Sequence, residues 1–247
     1  MTSWEFPASD PIDLQVRIPA GDISVTAART RTATVTLSPY RPGGRGEKIL
    51  AATRVEFDEG TLSVIAPEQH GLFRDGSLEA VVELPEGSSC LVDTGSADVS
   101  CSGVLSALDV RTASGDVSAE RVTGLARIST ASGDVEVGEA AELTVTTASG
   151  DVSAAQVDGE ISVRTASGDV QIGAASGRRT DIKASSGDIR VAVTPGIGIA
   201  FDVSTLSGTI SSELEPADEG GTADMTLTCR TISGDVQISR AAQPAAS

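Results

Sequence analysis

A hexapeptide that keeps returning constrains this chain more than any other feature. Thr-Ala-Ser-Gly-Asp-Val occurs at 112–117, 130–135, 147–152 and 165–170. Weaker copies read Ala184-Ser-Ser-Gly-Asp-Ile189, Thr205-Leu-Ser-Gly-Thr-Ile210 and Thr231-Ile-Ser-Gly-Asp-Val236, and a degenerate one precedes them as Thr94-Gly-Ser-Ala-Asp-Val99. Measured between the Asp or Thr at 98, 116, 134, 151, 169, 188, 209 and 235, the steps are 18, 18, 17, 18, 19, 21 and 26 residues. Composition alone does not produce such spacing, so each copy is one structural unit stacked on the next.

Within a copy the alternation has a period of two, which is the strand signature. Leu108, Val110 and Thr112 alternate with Asp109 and Arg111, and the phase returns at Leu143/Val145/Thr147 and Ile161/Val163/Thr165. A second short strand follows each Ser-Gly-Asp corner, as Val117/Ala119, Val135/Val137, Val152/Ala154 and Val170/Ile172. Further turns fall near Gly124, Gly159 and Gly177, and 90–193 carries no helical stripe. A propeller blade needs about 40 residues, so units of 18 are too short for one. The pattern predicts an all-β, single-domain β-solenoid: a parallel β-helix with coils of about 18 residues, right-handed by the general rule for crossovers.

The two ends of a solenoid must differ from its middle, because a terminal coil exposes unpaired backbone and a cut core. Residues 1–89 read as irregular N-terminal coils with an aromatic cap, 90–240 as the regular repeats of the same domain, and 241–247 as a disordered tail. Five of the six aromatic residues lie before residue 75, and Trp4 and Phe6 are placed to plug the opening. Weaker corners occur at Gly21-Asp-Ile23, Gly60-Thr-Leu62 and Gly76-Ser-Leu78. Loops are expected over Tyr40–Lys48, Pro67–Asp75 and the acidic Ser211–Asp224.

Charge excludes one class of partner. With 18 Lys+Arg against 35 Asp+Glu the net charge is −17, the wrong sign for nucleic acid, whose phosphates must be met by cations. No apolar run reaches the ~20 residues of a membrane helix, and the first residues lack the basic and apolar regions of a signal peptide. The expected location is therefore cytoplasmic, with a peripheral membrane association open. Cys90, Cys101 and Cys229 lie in phase with apolar neighbours and read as buried, reduced thiols. A Cys90–Cys101 disulfide across a thin core is the alternative.

Three arrays or residues invite a chemical reading. Asp98, Asp116, Asp134, Asp151, Asp169, Asp188 and Asp235 form a column whose carboxylates repel by about 1 kcal/mol per neighbouring pair in water. One carboxylate per coil is poor in oxygen ligands for calcium, so the column reads as Asx-type turns. Each Asp would accept N–H groups at its own corner, and Gly133 and Gly150 would supply positive φ. The column Thr94, Thr112, Thr130, Thr147, Thr165, Thr205 and Thr231 could resemble an ice-binding array, but its phase points inward, so it reads as a buried, stacked hydroxyl ladder. His70 reads as a loop residue, and no nucleophile or base set assembles around it. No catalytic, cofactor-binding or metal-binding residue is assigned.

The repeated Thr-Ala-Ser-Gly-Asp-Val, the opening Ile12-Asp-Leu-Gln-Val-Arg-Ile-Pro-Ala-Gly-Asp-Ile23 and the Pro85-Glu-Gly and Pro195-Gly elements resemble the bacterial putative-adhesin family of β-strand-repeat domains, over roughly residues 10–240. That resemblance implies a β-solenoid of bacterial source, with links in some relatives to envelope stress and the cell surface. The expected function is a non-enzymatic scaffold or binding protein that presents one face to a protein or envelope partner. A self-assembling, bactofilin-like structural protein is the alternative. A polysaccharide-active β-helix enzyme ranks behind both, because 90–200 offers neither histidine nor aromatic platform.

Overall fold

A computed structural model describes residues 1–41, 44–67, 76–214 and 223–242. Among them the chain is all-β with a single helix. The N-terminal elements are β1 (Thr2–Pro7), β2 (Asp13–Ala28), β3 (Thr32–Pro39), α1 (Arg45–Ala52), β4 (Arg54–Asp58), β5 (Thr61–Ile65) and β6 (Leu78–Pro85). The repeats begin with β7 (Ser89–Leu105), β8 (Ala107–Arg111), β9 (Val117–Ser129), β10 (Val135–Ser149), β11 (Val152–Val157) and β12 (Ile161–Ser167). They end with β13 (Val170–Ala175), β14 (Arg179–Ser186), β15 (Ile189–Val193), β16 (Ile199–Ser207), β17 (Ile210–Ser212), β18 (Met225–Ser233) and β19 (Val236–Arg240). All the strands hydrogen-bond into one sheet.

Through the middle, each residue pairs in parallel with its equivalent in the next copy, and we call each copy a rung. Val117 lies against Val135, Val135 against Val152, Val152 against Val170 and Val170 against Ile189. Beside this ladder runs a second, in which Ile128, Val145, Val163 and Ile182 are successive partners. β10 belongs to both, its first half pairing with β11 and its second with β12. Alternate residues of each strand turn inward, and the inward sets form one apolar cluster. A fully buried Val, Leu or Ile stabilises by roughly 1.5–3 kcal/mol relative to exposure, so small β-branched residues in long columns suffice for a core almost without aromatics.

At both ends chain order and spatial order part. Leu14 of β2 pairs with Leu62 of β5 on one side and Cys90 of β7 on the other. Val25 likewise lies between Val82 of β6 and Cys101 of β7. The first rung in the chain is thus the second in the stack. The C-terminal end mirrors it, with Cys229 of β18 between Ile182 and Val203, and Val236 of β19 between Ile189 and Ile210. The longer steps of 21 and 26 residues give the chain enough length to skip one position and return to fill it.

Antiparallel pairs finish the N-terminal end. β1 pairs with β3, β3 with β6, and β4 with β5. Trp4, Phe6 and Phe57 are half-buried against the core, with the Phe6 and Phe57 rings 5.6 Å apart.

Two expected loops are corrected. The second half of Tyr40–Lys48 enters α1, because Glu47, Lys48, Leu50 and Ala51 are good helix formers and Ile49 is buried against the core. Thr53 ends this helix, its hydroxyl donating to the Ile49 carbonyl at 2.8 Å. Within Ser211–Asp224, Ser211 and Ser212 belong to β17 and Leu214 is buried. His70, the bulk of the expected Pro67–Asp75 loop, residues 215–222 and most of the expected tail lie outside the described residues. Ala241 still donates to the Val193 carbonyl at 2.9 Å. No helix among the described residues is long and apolar enough to cross a membrane.

Candidate functional site

At the Ser-Gly-Asp corner the rungs lie too close for a side chain. A Cβ on Gly150 would sit 2.1 Å from the carbonyl oxygen of Gly133, and one on Gly133 would sit 2.2 Å from that of Gly115. Only hydrogen fits there. Gly150 also has φ of 144°, in the region side chains avoid. Gly133 does not lie in that region, which corrects the expectation of a positive φ. Close approach to the rung below is the constraint that both glycines share.

The aspartates follow from the same closeness. Asp134 donates its backbone N–H to Oδ1 of Asp116 at 2.9 Å, and Asp151 donates to Asp134 at 2.9 Å. The chain of bonds continues from Asp169 to Asp151 and from Asp188 to Asp169, both at 2.8 Å, and from Asp235 to Asp188 at 2.9 Å. It opens with Asp116 on Asp98 at 3.0 Å and closes with Thr209 on Asp235 at 2.7 Å. The expected own-corner Asx turn is therefore replaced by a bond between rungs. A carboxylate can span one strand spacing of about 4.8 Å, and there it meets a corner N–H that would otherwise face its own copy below. The bond, made to a charged acceptor, compensates the repulsion within the column.

Sequence reading missed one member of this array and one whole neighbouring column. Asp22 lies in register with Asp98, a place legible in Gly21-Asp22-Ile23, which repeats the Gly-Asp-Val core of the hexapeptide. Two residues beyond each Asp, Ser24, Ser100, Ser118 and Ser153 face the same side, with Glu136 in the rung between. The signal was Asp-Val-Ser, spelled at 98–100, 116–118 and 151–153. Together Asp22, Asp98, Asp116, Asp134, Asp151 and these serines line a surface groove of about 680 Å³.

The groove is electrostatically uneven. Burial, then the charges of Asp98 and Glu79, hold the Asp22 carboxyl above the usual carboxylate range. At the far end Arg190 lies 2.9 Å from Asp188 and 3.7 Å from Asp169, neutralising the column beyond the groove. Among the described residues no group of three or more His, Cys, Asp or Glu side chains is arranged to hold a metal ion.

Other singled-out residues lie inside. Thr94, Thr112, Thr130, Thr147, Thr165 and Thr231 are buried, so the Thr column is part of the core except at Thr205 in the end strand β16, which is half-buried. Within the chain, the hydroxyls of Thr112, Thr130, Thr147 and Thr165 have no hydrogen-bond partner. They stack without forming a hydroxyl ladder. Cys90, Cys101 and Cys229 are buried free thiols. Hydrogen bonding to Cys101, together with burial, raises the Cys90 thiol well above its ordinary value, and burial pushes Cys229 up to about 12.

Comparisons with known proteins bear on the whole fold. The family described as Toastrack DUF4097 matches residues 45–243. A solved structure from Bacteroides fragilis, named a "putative adhesin", superposes with a TM-score of 0.58 at 12% identity over 96% of each chain. Another from Parabacteroides distasonis, named a "Putative lipid binding protein", does so with a TM-score of 0.56 at 16% identity, again over 96% of each. No curated protein matches the sequence.

Proposed function

The chain belongs to the Toastrack DUF4097 family, and from that premise we propose that it is a right-handed β-solenoid of roughly 18-residue coils that acts as a non-enzymatic, adhesin-like binding scaffold. The observation that carries this reading is the groove of Asp and Ser columns. The Asp98, Asp116, Asp134 and Asp151 carboxylates are held by bonds between rungs, so this part of the outward array is periodic and pre-organised, and binding does not have to order it. Its ligand would be an extended component of the cell envelope or a protein segment lying along the stack, presenting donors at a matching repeat. Nothing in the groove pairs a nucleophile with a base, which favours recognition over turnover.

The test is co-sedimentation of the purified chain with sacculi and with membrane vesicles from its native host. The exposed Ser118 and Ser153, both replaced by Arg, fill the groove without touching the core. Wild type should pellet with one fraction, and S118R/S153R should remain in solution with an unchanged melting temperature. Equal pelleting of the two proteins, or of neither, would overturn the assignment of the groove.

A further inference from the structure

The C-terminal end of the stack carries a surface independent of the groove. Among the described residues β16 pairs with β18 only, and β17 with β19 only, so each leaves one edge without a strand. The core columns also stop here. Phe201 and Val203, in line with the buried Leu227 and Cys229, are only half-buried, and Ile210, in line with the buried Val236, is 45% exposed.

A second feature adjoins this open edge. The residue after each corner Thr is Ala113, Ala131, Ala148 and Ala166 through the regular rungs, and Ser185 holds the place after Ala184 in the next. In the last two rungs it becomes Ile232 and Leu206, lying side by side and 56% and 84% exposed. Large apolar residues thus replace small ones only where the stack ends, and they extend the apolar end face around its corner. Exposed apolar patches on an unguarded strand edge mark interaction surfaces.

We propose that this end is the interface of a two-fold dimer, in which β16 pairs antiparallel with β16 of a second copy. Charge selects that occupant. The chain carries −17 overall, so copies repel along their flanks, yet β16 and β17 hold one charged side chain, Asp202. Arg230 already neutralises it at 2.6 Å. With Val203 opposite itself, Phe201 falls against Thr205 of the second copy and Asp202 against Ser204, so no like charges are opposed. The other end of the stack is guarded: edge strand β1 carries Glu5 and Pro7, and edge strand β4 carries Arg54, Glu56 and Asp58. Charges and proline on edges prevent further pairing. Union of two C-terminal ends therefore closes after one step and gives a dimer, where a head-to-tail contact would give a filament.

The experiment is sedimentation of the full chain over a concentration series, with L206E/I232E as the interface variant. Both positions are exposed, so at concentrations where wild type is monomeric its melting temperature should match wild type. Wild type should pass from monomer to dimer with no larger species, and the variant should weaken the dimer at least tenfold. Val203→Cys in a Cys229→Ala background, which removes the free thiol in register with position 203, supplies a geometric check. Directly opposed residues of an antiparallel pair have Cα atoms about 4.5–5.5 Å apart, within disulfide range, so mild oxidation should yield a covalent dimer. Thr2→Cys on edge strand β1 should give no covalent dimer. Monomeric wild type at high concentration, open-ended filaments, a dimer indifferent to L206E/I232E, or failure of Val203→Cys to crosslink would each overturn the proposal.

Discussion

Between Asp98 and Asp188 the chain lays down one rung after another, and each new rung finds its partner already in place about 18 residues behind. At the two ends the same strand chemistry is assembled out of order. β2 waits for residues from 61 onward before either of its flanks is covered, and the slot between β14 and β16 waits for β18. The middle depends on what touches what at one corner. The ends depend on contacts distant in sequence, and the N-terminal one is finished with devices the middle lacks: antiparallel strands, a short helix and packed aromatic rings. Regularity and closure are thus separate problems in this fold, met by different residues.

The sharpest way to break the middle is at a contact that is both close and strained. Gly150→Val places carbon against the Gly133 carbonyl oxygen, where a Cβ has 2.1 Å, and adds the strain of φ 144°. Backbone strain alone costs about 1–3 kcal/mol, so the loss should be at least that. Hydrogen exchange should report it as lost protection across 130–170, with β1–β6 retained. Gly60→Ala makes the contrast with an end. It has φ 81° but nothing within 4 Å of the new Cβ, so it should cost only the ~1–2 kcal/mol of the left-handed conformation. Equal losses at the two sites, or uniform loss of protection for Gly150→Val, would erase the distinction.

A smaller effect is expected one residue on. Asp151→Ala removes the acceptor of the Asp169 N–H and should destabilise by about 1 kcal/mol, the usual net worth of a hydrogen bond. Asp151→Asn keeps an acceptor oxygen and removes one charge from the column, so it should stay within roughly 0.5 kcal/mol of wild type. Chemical denaturation separates these outcomes. If Asn is as damaging as Ala, charge and not the bond between rungs is what the column requires.

Much of the middle could be read from the chain because each copy states its own environment. The inward Thr and Val columns, the buried cysteines and the corner positions all follow from alternation and period. Three things could not be read that way. Which rung Thr231–Val236 lies against is invisible locally, since the same hexapeptide fits above or below any other. The partner of each Asp depends on the height of a rung, which no single copy contains, so a turn within one corner was the natural but wrong reading. Helix α1 escaped because Pro42, Gly43 and Gly44 announce a loop and the eight helical residues follow directly after them.

The smallest predicted effect lies where the Asp column meets the N-terminal end. Asp22 is held above the usual carboxylate range, so the folded chain binds a proton there more tightly than the unfolded chain. Its ionised form therefore opposes folding at neutral pH, and the penalty fades as pH falls through the raised value toward the unfolded one near about 4. Asp22→Asn should raise the melting temperature slightly at pH 7 and lose that advantage on acidification. Asp188→Asn, beside Arg190, should show no such gain. A pH-independent effect of Asp22→Asn would remove charge from its explanation.

The out-of-order closure also decides how the molecule meets a mechanical load. A strand at the edge of a stack can be peeled away one hydrogen bond at a time, under little tension. β19, the last described strand in chain order, is held by β15 on one side and β17 on the other. A pull on the chain just after β19 therefore does not peel a free edge. It must shear two ladders together, so the strand furthest along the described chain is among the harder ones to draw out.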